Sequence, residues 1–159
     1  MRYRKIIIDG YSLLHRDPVL APLIASNLMA ARQRLIQSVE RVIGSLGDHT
    51  TIVFDGRGGT QDRVLDSTLV EILFSPPNKT ADTVIERLVH ADAQPDQILV
   101  VTSDRGERET VTAAGAEVMS CAQFIDLSRR QESDTSQAAK KTQQSRPRPT
   151  LGDFFPDKR

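Results

Sequence analysis

Cysteine, tryptophan, long apolar runs and net charge are what this chain has least of. A single cysteine, Cys121, excludes an intrachain disulfide and any zinc site built from several thiolates. With no tryptophan, two tyrosines and five phenylalanines, a core must be assembled mainly from aliphatic side chains. No run approaches the roughly 18 consecutive apolar residues of a membrane span. The opening Met1-Arg2-Tyr3-Arg4-Lys5-Ile6-Ile7-Ile8-Asp9 also lacks an apolar stretch long enough for a secretory signal. The expectation is a cytoplasmic protein with no membrane partner. Its 21 Lys and Arg balance 21 Asp and Glu over 159 residues, whereas a purely electrostatic nucleic-acid binder would show a basic excess.

The balance conceals an asymmetry. Residues 1–128 carry 13 basic and 17 acidic side chains, and residues 129–159 carry 8 and 4. Between Arg129 and Thr150 only Ala138 and Ala139 are apolar, a composition too polar to offset the entropy of ordering a backbone. The expected organisation is a globular domain over 1–128, a disordered basic linker over 129–150, and a short apolar motif over 151–159. In that motif Leu151, Phe154 and Phe155 are spaced either to dock in the groove of a protein partner or to fold back on the chain's own domain.

Within the globule, apolar runs alternate with helical patterns. Ile6-Ile7-Ile8, stopped by Asp9-Gly10, suits a strand buried on both faces of a parallel sheet. Thr51-Ile52-Val53-Phe54, Val70-Glu71-Ile72-Leu73-Phe74, Ile98-Leu99-Val100-Val101 and Ala116-Glu117-Val118-Met119 read as four more strands. Leu28, Leu35, Ile36, Val39, Val42, Ile43 and Leu46 recur at helical spacing, between the capping candidates Ser26 and Asn27 and the stop at Gly47. Thr80 can cap a second helix through Val84, Ile85, Leu88 and Val89; a third spans about 105–114 before Gly115, and a short one about 123–129. Strands alternating with helices imply a three-layer α/β domain: a central parallel sheet of about five strands with helices on both faces, plus the disordered tail. Such sheets bind their ligands beyond the carboxyl ends of the strands.

Three of the strands run directly into an aspartate, at Asp9, Asp55 and Asp104, and a fourth, Asp82, lies in the first turn of the helix after the 70–74 strand. Each alone has a structural role available: Asp9-Gly10 and Asp55-Gly56 read as turns, Asp82 suits the positive end of a helix dipole, and Asp104 suits a helix cap. Together on one rim, four carboxylates would repel one another unless cations neutralised them. Oxygen-only ligands select hard ions, Mg²⁺ or Mn²⁺, and the matching chemistry is hydrolysis of a phosphodiester. Ser12 can orient a metal-bound water or begin a helix. Glu86, four residues after Asp82, can supply an outer carboxylate or a surface pair, and Thr102 and Ser103 can hold a phosphate or lead into the next helix. Arg57, Arg63, Arg105 and Arg108 fall in or beside the rim loops, where guanidinium groups would meet phosphates.

The segments Ile8-Asp9-Gly10-Tyr11-Ser12-Leu13-Leu14, Val53-Phe54-Asp55-Gly56, Lys79-Thr80-Ala81-Asp82-Thr83-Val84-Ile85-Glu86 and Val101-Thr102-Ser103-Asp104 together resemble the NYN group of PIN-like nucleases, in its YacP-like branch. The resemblance covers roughly residues 4–126 and leaves the tail outside it. It implies a metal-dependent endoribonuclease with Asp9, Asp55, Asp82 and Asp104 on the family's acidic positions, acting on messenger RNA in association with ribosomes. Ser12 departs from the Asn that the family commonly carries there. A receiver domain would need a lysine after its last strand, and the lysines stand only at 5, 79, 140, 141 and 158. A haloacid-dehalogenase-like phosphatase would want an acid at Tyr11. The reading from another class is a non-catalytic RNA-binding or ribosome-associated adaptor on the same fold.

Overall fold

The computed structural model describes residues 2–56 and 67–145, with side chains of the last helix described as far as Asp134 and at Gln137. Arg57, Arg63 and the motif at Leu151, Phe154 and Phe155 lie outside the described residues.

Five parallel strands form the central sheet: β1 (Tyr3–Asp9), β2 (Gly47–Phe54), β3 (Glu71–Phe74), β4 (Ile98–Val101) and β5 (Glu117–Met119), in the order β3-β2-β1-β4-β5. The unbroken apolar runs exist because both faces of the sheet are covered. Ile6 and Ile8 pack into one layer with Ile52, Leu99 and Val101, whereas Ile7 faces the opposite layer with Val53, Ile98 and Val100. The first layer is covered by α1 (Gly10–Arg16), α3 (Leu28–Leu46) and α6 (Cys121–Ser145), the second by α4 (Ala81–His90) and α5 (Arg105–Ala113). A short helix, α2 (Ala21–Ser26), leads into α3. The strand order excludes the receiver architecture, whose order is 2-1-3-4-5.

Helix ends follow the local chemistry of the chain. Asn27 caps α3 by accepting from the Ala30 amide at 3.1 Å, and Thr80 caps α4 through the Thr83 amide at 3.1 Å. Gly115 ends α5 with φ of +106°, a conformation that side chains rarely adopt. Three features differ from the sequence reading. Asp9-Gly10 is not a turn but the start of α1, and the glycine is needed for closeness: a Cβ there would lie 2.4 Å from the Phe54 ring. The helices α1 and α2, of seven and six residues, are too short to show a period. Finally, α6 does not end near 129 but continues to Ser145, into the stretch expected to be a linker. Its first half is anchored on α3 by a hydrogen bond between Ser38 and Ser128 and an ion pair between Arg41 and Glu132. The Gln, Ala and Lys residues that follow are good helix formers, able to propagate a helix already nucleated by packing.

Candidate metal centre

Because the chain runs β1 to β2 to β3 outward in one direction and then crosses to β4 and β5 on the other side, the sheet reverses between β1 and β4. The carboxyl ends of these two strands therefore flank the point where a doubly wound sheet opens a crevice. A hollow of about 430 Å³ lies there, and Asp9, Asp55, Asp82 and Asp104 all line it, with Ser12, Ser103, Thr80, Tyr11, His15 and Arg16.

The four aspartates are not equivalent within it. Asp9, the last residue of β1, is buried, and its carboxylate accepts from the Ser12 amide at 3.3 Å and the Ser12 hydroxyl at 3.0 Å. Burial holds the Asp9 carboxyl above the ordinary range, with nearby Asp82 adding to the rise and the Ser12 bonds opposing it. Asp82 comes in from the first turn of α4. Asp104 is exposed and caps α5, its Oδ1 accepting from the Glu107 amide at 2.8 Å. Asp55 is half-buried, with Ser75 Oγ at 3.5 Å from its Oδ1.

A carboxylate outside the four joins Asp9 and Asp82. One oxygen from each of Asp9, Asp82 and Glu107 lies within 4.8 Å of the others, the one group of three or more potential metal ligands among the described residues. Glu107 is 2% exposed. Thr102 Oγ1 lies 2.9 Å from Glu107 Oε2 and 3.4 Å from Asp9 Oδ2, so one hydroxyl proton is offered to two carboxylates. Glu107 Oε1 is buried and receives no hydrogen bond. Burial, followed by the Asp82 and Asp9 carboxylates beside it, pushes the Glu107 carboxyl up to about 10. Three clustered oxygen ligands, one of them a buried acceptor without a donor, fit a hard divalent cation, which would replace the missing donor and offset the mutual repulsion.

Glu107 escaped the sequence reading because Asp104-Arg105-Gly106-Glu107 has the spacing of a capping box, in which the glutamate would reach back to the cap residue's amide. That amide instead donates to Thr102 Oγ1 at 3.1 Å, which frees Glu107 to turn inward. The available signal was Val111, buried four residues later on the same helical face. His15 and Arg16 were missed with α1 itself. Among the other expected residues, Ser12 and Ser103 line the hollow, and Glu86 is half-buried on α4 outside its lining. Arg105 and Arg108 are exposed and border a separate depression with Glu109, Thr112, Ala113 and Val118. Cys121 is buried, and burial pushes its thiol up to about 11, which leaves it inert as a nucleophile. No helix among the described residues is long and apolar enough to cross a membrane.

Comparison with known proteins gives one consistent result. The profile of the YacP-like NYN domain matches residues 6–157, so the family pattern continues through the tail and is not confined to the globule. The chain is 32% identical over 114 residues to the uncharacterized protein YacP of Bacillus subtilis, a match that covers 70% of this chain and 66% of that protein, slightly under two thirds of its length. It is also similar to the crystal structure of Rae1 (YacP) from Bacillus subtilis, with a TM-score of 0.75 and 28% identity, covering 86% of this chain and 80% of that one. The W164L mutant of the same protein superposes with a TM-score of 0.73 at 27% identity, over 89% of this chain and 85% of that one.

Proposed function

Since the chain belongs to the YacP-like NYN domain family, we propose that it is a metal-dependent endoribonuclease that hydrolyses RNA phosphodiester bonds, with messenger RNA on or near the ribosome as the first substrate to test. The observation that carries this reading is the Asp9, Asp82 and Glu107 cluster beneath the strand crossover, with its buried carboxylate oxygen that no donor reaches. These three residues would hold Mg²⁺ or Mn²⁺. Bound there, such an ion supplies a more acidic water and neutralises charge on the phosphate during hydrolysis.

The chain's own groups account for the remaining requirements. Ser12 and Thr102 fix the Asp9 carboxylate, and Thr102 shares its hydroxyl with Glu107, so the ligand oxygens are held before any cation arrives. Asp55 and Asp104 line the same hollow, where they would orient the water that attacks phosphorus while the bond to the leaving sugar oxygen breaks. Arg16, exposed on α1 beside His15, brings positive charge to a lining otherwise dominated by acids. Arg105, Arg108, Arg57 and Arg63, together with the basic tail, extend the contact along the RNA backbone.

The test is incubation of the purified protein with single-stranded and structured RNA, and with DNA of the same sequence, with and without divalent metal, beside Asp82→Asn. The expected result is cleavage of RNA only with metal, lost in the variant. Binding without cleavage would leave the adaptor reading, and full activity in the variant would overturn the site assignment.

A further inference from the structure

On the opposite layer from Glu107 lies a second buried charge that neither the sequence reading nor the acidic cluster explains. Arg32 sits in the middle of the apolar face of α3, between Ala31, Leu35 and Ile36, and is 8% exposed. Its guanidinium carbon lies 5.5 Å from the centroid of Tyr11, 5.5 Å from that of Phe54 and 5.4 Å from that of Phe74. Three rings therefore enclose it, two of them closing strands β2 and β3 and one standing in the first turn of α1. Among the described residues no carboxylate pairs with Arg32, and its buried Nε has no acceptor. Its one hydrogen bond among the described residues runs from Nη2 to the hydroxyl oxygen of Tyr11.

A guanidinium without a counter-ion is costly to bury, and packing alone would be served at this position by leucine or methionine. The aromatic faces offset part of that cost. What the arrangement accomplishes lies at Tyr11, which lines the acidic hollow. Arg32 cannot accept a hydrogen bond, so the Tyr11 oxygen must accept from it and the phenol proton must go elsewhere. Among the described residues that proton has no acceptor. Two other hydroxyls of the lining are engaged: Ser12 donates to Asp9, and Thr80 caps α4 and bonds Thr83. A phosphate entering a hollow walled by carboxylates needs donors, and beside the exposed Arg16 the Tyr11 hydroxyl offers one whose proton no described residue takes up.

We propose that Tyr11 binds substrate by donating its hydroxyl proton to a non-bridging phosphate oxygen of the RNA, and that Arg32 is the positioning residue that fixes this hydroxyl as a donor. The assignment rests on the RNA reading above and adds to it the group that grips the phosphate. The buried cation also strengthens the donor, because a phenol whose oxygen accepts from a guanidinium gives up electron density and polarises its own O–H.

Two single variants, Tyr11→Phe and Arg32→Met, and their double combination test the pair. Methionine keeps the aromatic cage filled, and phenylalanine removes one oxygen, so Tyr11→Phe carries the test even if the core variant folds poorly. Each is measured for kcat and KM in RNA cleavage, and for the Kd of a 5′-labelled RNA in EDTA by fluorescence anisotropy. The loss of one charge-supported hydrogen bond should raise KM and Kd about tenfold in each single variant, with kcat nearly unchanged. The double variant should lose no more than the weaker single, since both remove the same donor. Unchanged KM and Kd in Tyr11→Phe, or multiplicative losses in the double variant, would overturn the proposal. A wild type that binds RNA in EDTA but cleaves none of it when divalent metal is added would refute the nuclease reading alone, because the Kd comparison still decides the pair. A wild type that binds no RNA refutes both.

Discussion

The inner and outer carboxylates at the strand crossover are the same functional group in opposite surroundings. Asp9 and Glu107 are buried, share one threonine hydroxyl and are pushed toward their protonated forms. Asp104 is exposed and spends an oxygen on a helix cap, and Asp55 is half-buried beside Ser75. An exposed carboxylate keeps its charge with water as solvent, whereas a buried one needs a proton or a cation. Position at a strand end thus brings an acid to the rim, but burial decides which acids need a proton or a cation to offset their charge.

The largest expected effect separates the two sets by catalysis. Asp9→Asn and Glu107→Gln should each lower the metal-dependent cleavage rate by more than the roughly 100-fold that changes outside the ligand shell produce, with Asp104→Asn below that figure. Equal losses in initial-rate assays would erase the distinction. Next comes stability without metal. Glu107 binds a proton more tightly in the folded state than in the unfolded chain, so between its ordinary range and about 10 the folded state holds more protons. Stability from this group is therefore full below the ordinary carboxylate range and falls as pH rises toward 10. Melting temperatures in EDTA from pH 5 to 9 should decline for the wild type and flatten in Glu107→Gln, and added Mn²⁺ should raise the wild-type value more than the variant's.

A smaller effect falls on the outer set. Asp104→Ala should cost about 1 kcal/mol by removing the cap of α5, a melting shift of roughly 2–4 °C, whereas Asp104→Asn keeps the cap and should melt near the wild type. The smallest lies outside the hollow and has the opposite sign. The bond from Lys5, with the Gln94 amide and Arg4, lowers the Asp92 carboxyl to about 2. Its contribution is present above the ordinary carboxylate range and lost as pH falls toward 2, so acid titration of Asp92→Asn should show a shallower loss of structure over that interval.

Much of this was legible in the sequence. Ile6-Ile7-Ile8 and Ile98-Leu99-Val100-Val101 announce strands buried on both faces, because an unbroken apolar run can satisfy two layers only in a covered sheet. Asn27, Thr80 and Gly47 mark helix ends through chemistry contained within a few residues. Less legible were α1, too short to show a period, and the extension of α6, whose polar second half continues a helix that packing with α3 started. Glu107 was hidden by a sequence pattern that fits a cap equally well.

The residues alone thus determined the layers, the strands and the delivery of four aspartates to one rim, because periodicity and capping are local properties of the chain. Only the tertiary structure decided that Asp9 and Glu107 are the buried carboxylates and that Arg32 lies among Tyr11, Phe54 and Phe74. Burial and the electrostatics that follow from it are sums over neighbours far apart in sequence, and no local pattern contains that sum.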